Sequence, residues 1–365
     1  MLIGTVVAVA VIAAGYGQSA TPASAVVATR QAADVAMRAP QARPVLGIDV
    51  ESDVNYSVST AKAYGSRLAA YIHDTLHATS LSLVWNFCDP SFTSQIVGKC
   101  QRTLSSPAVK AIAQEAHQNG LTVQLRPLIR VGPPANWGDP HLSWEGFIDP
   151  TNQLAWFRSL LAAETPYLKS LRGIPGSQFV VATEPWDIAD SSHWLWLLGK
   201  AHEICGCATS IASQTARYRT GVLPSKNTPG VDFYPHLNIP ASASQQTVTA
   251  AWEASTNMVP LWVRARTTLD EEGIRATAGA YQHPEDWSIG GADDPQVQAR
   301  WFIAACQTVV RFHMRGVYFY NIPLNDDPAH PFSFPAYFVG NAGSAAIQGC
   351  AKLFSSVSPH STSRA

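Results

Sequence analysis

One glutamate stands where an apolar run stops. Phe179-Val180-Val181-Ala182-Thr183 reads as a buried strand, and it delivers Glu184 to whatever lies beyond its end, with Pro185 and Trp186 next in the chain. A carboxyl held beside a Trp in a partly desolvated cleft has its pKa raised, which suits a general acid. Proton donation to a leaving oxygen is the chemistry expected of Glu184, and an ion pair with Arg126 is the structural alternative. Cleaving a glycosidic bond needs a second carboxylate, roughly 5 Å away as a nucleophile or roughly 6.5 to 9.5 Å away when it activates water.

Other apolar runs also end on polar or aromatic residues. The first closes on Asp49-Val50-Glu51, the second on Trp85-Asn86, and the third on Arg126 with Arg130 beyond it. The sixth carries Asp232, Tyr234 and His236, the seventh leads to Tyr281, Gln282 and His283, and the eighth ends Tyr318, Tyr320, Asn321. The second carboxylate is therefore sought in Glu285 or Asp286, in His283-Pro284-Glu285-Asp286-Trp287, or in Asp232, Asp49 or Glu51 acting as a base on water. Expected substrate contacts are Arg126, Trp85, Asn86, Trp137, Trp186, Tyr234, His236, Tyr281 and Tyr320, with Trp144 and Trp287 as further rim platforms. Trp156, Trp196 and Trp301 fall at helical positions and are expected in the core.

The elements that must position these residues alternate in type. Strands are predicted at Val45–Val50, Leu81–Asn86, Leu121–Arg126, Gln178–Thr183, Thr209–Ser213, Gly230–Tyr234, Ile274–Ala280 and Gly316–Asn321. Amphipathic segments lie between them, among them Pro107–Gln118, closed by Gly120, and Gln296–His313, opened by Asp294-Pro295. Eight strand–helix units in one chain of this length predict an α/β fold, a (β/α)8 TIM barrel over residues 44–354, whose active site lies at the C-terminal ends of the strands.

Composition narrows the function classes. Charged residues are 14% of the chain and sum to −1, so no basic field exists to hold nucleic acid or an acidic membrane. The 11 Trp and 11 Tyr supply rings that stack on the apolar faces of sugars as readily as they fill cores. No Gly-rich phosphate loop follows the first strand, the histidines lack metal-ligand spacing, and there is no Gly-x-Ser-x-Gly elbow, so no cofactor or metal is expected.

Residues 1–25 read as a signal peptide, apolar from Leu2 to Gly15 with a small-x-small site at Ala23-Ser24-Ala25. Residues 26–43 read as a flexible Ala- and Pro-containing lead-in, and 355–365 as a disordered Ser-rich tail. Six cysteines fit a secreted or extracellular protein. Cys88 with Cys100 and Cys306 with Cys350 are expected pairs, while Cys205-Gly206-Cys207 is left open between free thiols and a linked pair.

Val123-Gln124-Leu125-Arg126-Pro127, Trp156-Phe157 with Tyr167 further along the helix, Thr183-Glu184, Asp232-Phe233-Tyr234 and the Tyr281 segment together resemble the mannanases of glycoside hydrolase family 113. That family belongs to a clan of barrels with catalytic glutamates on strands four and seven. The resemblance implies Glu184 as acid/base and a nucleophile at the end of strand seven, where Thr277-Ala278-Gly279-Ala280-Tyr281 places Ala278 at the glutamate's position.

Three readings follow. The chain hydrolyses a β-linked polysaccharide or oligosaccharide, mannan first among them, with Glu285, Asp286 or Asp232 as second carboxylate. Or it is an inactive barrel that binds carbohydrate outside the cell. Or Arg126 and Arg130 serve an anionic substrate, which requires a positive pocket.

Overall fold

Val45 and the residues after it do form a strand, and it is the first of eight that pair in parallel, in chain order, until the eighth closes on the first. The structure, a computed structural model, describes residues 43–137, 140–221, 229–335 and 337–357. The strands are β1 (Val45–Ser52), β2 (Ser80–Asp89), β3 (Thr122–Val131), β4 (Gln178–Thr183), β5 (Ala208–Gln214), β6 (Pro229–Asp232), β7 (Thr268–Glu272) and β8 (Gly316–Pro323). A principal helix follows each one: α1 (Val58–Ala70), α2 (Ser106–Gln118), α3 (Gln153–Leu168), α4 (His193–Cys205), α5 (Thr215–Thr220), α6 (Gln245–Asn257), α7 (Pro295–Arg311) and α8 (Ala342–Ser356). The barrel reading from sequence is borne out.

Six of these eight helices, all but α2 and α4, start where a side chain takes up an orphan N–H. Ser57 accepts from the Thr60 N–H at 3.1 Å before α1. Asn152 accepts from Ala155 at 3.1 Å before α3, and Asp294 accepts from Gln296 at 3.0 Å before α7, where Pro295 opens the first turn. The glycine expected to close α2 does so, since Gly120 has φ +81°, a region costly for any residue with a Cβ.

Helices and barrel are joined by a layer of rings. Phe157 of α3 meets Trp194 of α4 edge-on at 4.6 Å, and Trp252 of α6 meets Trp301 of α7 at 5.0 Å. Trp156, Trp194, Trp252 and Trp301 are all fully buried. With helices on the outside and side chains filling the inside, β2 and β3 are buried along almost their whole length.

Strand seven is corrected. The run Ile274–Ala280 pairs with no neighbouring strand; only Thr277 makes an isolated bridge, to Asp293. The strand that completes the barrel is Thr268-Leu269-Asp270-Glu271-Glu272, three of whose five residues are acidic. Hydropathy hides it, because a strand is expected to be apolar unless something inside the barrel compensates its charge. Ala278 therefore lies in the turns beyond β7 and not at its end.

Among the described residues the cysteines form three disulfides. Cys88–Cys100 brackets the loop after β2 and Cys306–Cys350 joins α7 to α8, with Cα separations of 5.8 and 5.7 Å. The open question at Cys205-Gly206-Cys207 resolves to a bond between the two, across Gly206 in the left-handed region. Ser355 and Ser356, expected in the tail, finish α8. The expected signal peptide, all but the last residue of the lead-in and residues 358–365 lie outside the described residues. No helix among the described residues is long and apolar enough to cross a membrane.

Candidate active site

Glu184 follows the last residue of β4, and its backbone leaves the strand abruptly. Its φ is +47°, uncommon for a residue with a side chain, and its N–H turns to Ala212 O on β5 at 2.8 Å. Backbone held in this region collects at functional sites. The turn presents the carboxyl at the C-terminal face of the barrel, where Oε2 accepts a 2.7 Å hydrogen bond from the indole Nε1 of Trp144.

Trp144 and Glu145 come from the segment after β3, just ahead of and within a single 3-10 turn, Glu145–Phe147. Gly146 lies under the Trp144 ring so closely that a Cβ there would sit 2.4 Å from it, which fixes the glycine. The Glu145 side chain is buried beside Glu184. Burial, then the charges of Glu145 and Glu271, push the Glu184 carboxyl up to about 8, partly opposed by the Trp144 hydrogen bond and by Arg126. At neutral pH Glu184 holds a proton that it can give away.

A further glutamate, Glu271, reaches the same cavity as Glu184 from β7. Glu271 Oε1 accepts a 2.5 Å hydrogen bond from the Tyr234 hydroxyl, and Glu271 Oε2 lies 2.5 Å from Arg126 Nη2. Burial and the charge of Glu271 hold the Tyr234 phenol well above its usual range, so it is a donor. Arg126, on β3, is fully buried inside the barrel and also faces Asp232 at 2.8 Å and Asp49 at 3.5 Å. Its neighbours Asp49, Asp232, Asp270 and Glu271 outweigh one guanidinium, so part of the acidic set must take up protons. Burial raises Asp49 to about 8 and Asp270 to about 7, and holds Asp232 well above its usual range despite the ion pair. Gly230 makes this arrangement possible, because a Cβ there would lie 1.8 Å from Asp270 Oδ2.

Glu184, Glu271, Trp144 and Glu145 open onto one cavity of about 490 Å3, walled further by Arg130, Tyr234, Trp287 and Tyr320. Its lining carries the carboxyls of Glu145, Glu184, Asp232, Glu271 and Glu285 against the guanidiniums of Arg130 and Arg219. The positive pocket required for an anionic substrate is not what this lining makes.

Of the residues singled out from sequence, Glu184, Asp232, Tyr234, His236, Glu285 and Tyr320 line this cavity, as do Arg130 and the rim platforms Trp144 and Trp287. Glu285 and His236 are at its exposed margin, 2.7 Å from each other. Arg126 stands behind the lining, and Asn86 accepts from Arg130 Nε at 3.3 Å. Trp85 and Tyr281 are elsewhere: Trp85 stacks on Tyr167 at 5.0 Å and Tyr281 on Trp301 at 6.3 Å, both buried in the layer between barrel and helices. Trp85 points outward from β2 and Tyr281 packs inward from the turns beyond β7, and the large apolar area of each ring is removed from water there. Trp137 and Trp186 are not in the lining either, and each is covered by an arginine, Arg102 at 5.4 Å and Arg217 at 5.0 Å. Asp286 folds onto its own turn, accepting from Ser288 N at 2.8 Å.

Glu271 and Glu145 were missed. Glu271 had one legible signal, the run Asp270-Glu271-Glu272-Gly273 placed between α6 and the eighth strand, which is too acidic for a surface strand and too short for a solvated helix. Glu145 had none beyond its place after a tryptophan.

No family model and no curated protein matches the chain. Solved structures do. A GH113 β-1,4-mannanase superposes with a TM-score of 0.69 at 14% identity, covering 85% of this chain and 99% of its own. The GH113 β-mannanase from Alicyclobacillus acidocaldarius gives 0.63 at 15%, covering 87% and 99%. An endo-β-1,4-mannanase from Thermotoga petrophila gives 0.51 at 10%, covering 86% and 77%. At these identities the likeness speaks for the barrel fold.

Proposed function

We propose that this chain is a glycoside hydrolase that cleaves β-linked polysaccharide or oligosaccharide by double displacement, with Glu184 as acid/base and Glu271 as nucleophile. The observation that carries the reading is the pair itself: two glutamates from the ends of β4 and β7, open to one cavity, in opposite electrostatic settings. In the first step a Glu271 oxygen bonds to the anomeric carbon while the glycosidic C–O bond breaks and Glu184 protonates the departing oxygen. In the second, Glu184 takes a proton from water, whose oxygen displaces Glu271 and restores both carboxyls.

Arg126 and Tyr234 hold Glu271 by both oxygens, which fixes the attacking atom before substrate arrives. Asp232 faces the same guanidinium, and burial holds its carboxyl well above the usual range, which supports a framework role in place of the base role considered from sequence. Glu285, exposed and engaged with His236, is a rim group in this reading. With β7 ending in two glutamates, the case for an inactive binding barrel, which rested on Ala278, loses its basis.

Mannan is the leading substrate, supported by the resemblance of the sequence segments and by the mannanases among the structural neighbours. Three disulfides support an oxidising, extracellular setting. The test is hydrolysis of mannan, glucomannan, cellulose and xylan oligosaccharides by the protein and by its Glu184→Gln and Glu271→Gln variants. Sugar release that disappears in both variants is expected; release that survives Glu271→Gln removes the nucleophile assignment.

A further inference from the structure

A second, smaller cavity of about 210 Å3 lies beyond the β1 and β8 ends of the barrel, lined among others by Glu51, Asp53, Tyr56, Asn325, Phe332 and Tyr337. A hydrogen bond joins its lining to that of the catalytic cavity. Tyr320 forms part of the catalytic wall, and its hydroxyl donates at 2.5 Å to Glu51, which lines the second cavity. A second connection runs through Arg275, which donates to the Trp287 carbonyl at the catalytic cavity and lies 5.2 Å from the Phe334 ring centroid. Phe334 in turn meets Tyr337 at 5.2 Å.

These aromatic groups are fixed in place and remain open to water. Phe332 is 46% exposed and Phe334 45%, so part of each ring is open to a ligand. The Phe332 backbone is nonetheless anchored, its N–H donating to Asp326 Oδ1 at 3.0 Å, and Asn341 donates to the Tyr337 carbonyl at 2.9 Å. Tyr56 is held edge-on against Tyr64 at 5.3 Å.

We propose that this cavity is an accessory subsite for a neutral sugar unit of the same polysaccharide chain whose scissile bond occupies the catalytic cavity; the proposal rests on the glycosidase reading. Rings at Tyr56, Phe332 and Tyr337 offer stacking faces for the C–H side of a sugar, while Glu51, Asp53 and Asn325 offer acceptors, and in Asn325 a donor, for its hydroxyls. Two carboxylates and no Lys or Arg in the lining disfavour a phosphate or uronate. Continuity through Tyr320–Glu51 selects a further unit of the bound chain over an unrelated ligand. The enzyme accordingly prefers long oligosaccharides to short ones.

The experiment compares β-1,4-mannohexaose with mannotriose. For the unaltered protein kcat/KM is higher on the hexaose, and Phe332→Ala, Tyr337→Ala and Asp53→Asn each lower the hexaose-to-triose ratio, about tenfold for the aromatic variants, which corresponds to about 1.4 kcal/mol. An unchanged ratio in all three variants overturns the subsite. If neither oligosaccharide is cleaved, the glycosidase reading is what fails, and calorimetric binding of the hexaose decides the subsite separately. Binding weakened by Tyr337→Ala sustains it, and absent or unaltered binding overturns it.

Discussion

The Trp144 indole donates to Glu184 Oε2 at 2.7 Å, while the next residue in the chain, Glu145, is buried beside the same carboxyl. The two neighbours act in opposite directions on one proton, since the hydrogen bond favours the anion and the Glu145 charge disfavours it. One short segment after β3 thereby sets the pH range in which Glu184 can act as an acid.

Because Glu184 must be protonated to act, kcat/KM is expected to fall as pH rises through about 8. Glu145→Gln removes a charge that raises this pKa and moves the alkaline limb to lower pH. Trp144→Phe removes a bond that lowers it and moves the limb to higher pH. Rate profiles across the alkaline range check both shifts, and a limb that stays fixed in Glu145→Gln rejects the electrostatic account.

A nucleophilic Glu271 implies net retention at the anomeric carbon and a covalent glycosyl-enzyme. NMR of the first-formed product should show the retained anomer, and a 2-deoxy-2-fluoro glycoside should label Glu271, located by mass spectrometry of peptides. Tyr234→Phe, which removes the hydroxyl that holds Glu271 Oε1, should lower kcat by about 10- to 100-fold, the size of one hydrogen bond to a charged group. An inverted product would shift the search to a base acting on water.

Arg126 is a buried guanidinium among Asp49, Asp232, Asp270 and Glu271. Arg126→Met leaves those carboxyls uncompensated and should destabilise the fold by about 3 to 5 kcal/mol near neutral pH. The sign with pH follows from Asp49, raised from 3.8 to about 8 in the fold even with Arg126 lowering it. The stability given by its neutral form is fully present below about 3.8 and is lost as pH rises through about 8. The variant, lacking the cation, should therefore lose more stability at pH 9 than at pH 5. Thermal unfolding at the two pH values measures this, and an equal loss at both contradicts the charge argument.

Cys306 and Cys350, 44 residues apart in sequence, tie the last two helices together. Chain entropy alone assigns such a crosslink about 4 kcal/mol. Replacing both by Ser should lower Tm by on the order of 10 °C, read by calorimetry. Turnover per folded molecule should hold at assay temperature, because α7 and α8 contribute no side chain to the catalytic cavity.

Much of this was readable in the chain. Apolar runs bounded by helical periods locate seven of the barrel strands, because strands covered on both faces must be apolar and their periodicity is local. Glu184 was legible for the same reason: Phe179-Val180-Val181-Ala182-Thr183 has only one place to put the residue that follows it. The pairing of Cys88 with Cys100 and of Cys306 with Cys350 also followed from where their elements fall.

What only the tertiary structure decided is which residues share a cavity. β7 is acidic because Arg126, on β3 at the opposite side of the closed barrel and distant in sequence, projects into the same barrel interior, and a one-dimensional reading of hydropathy contains no such partner. For that reason the second carboxylate was sought on Glu285, Asp286 and Asp232 while Glu271 went unseen. Strand position alone puts Trp85 and Tyr281 at the rim, whereas the side of β2 that Trp85 occupies, which depends on register and twist, and the turns beyond β7 that carry Tyr281 bring both rings into the helix layer. Sequence determines the elements through local pattern; the site depends on distant side chains whose charges and shapes compensate one another only after the barrel has closed.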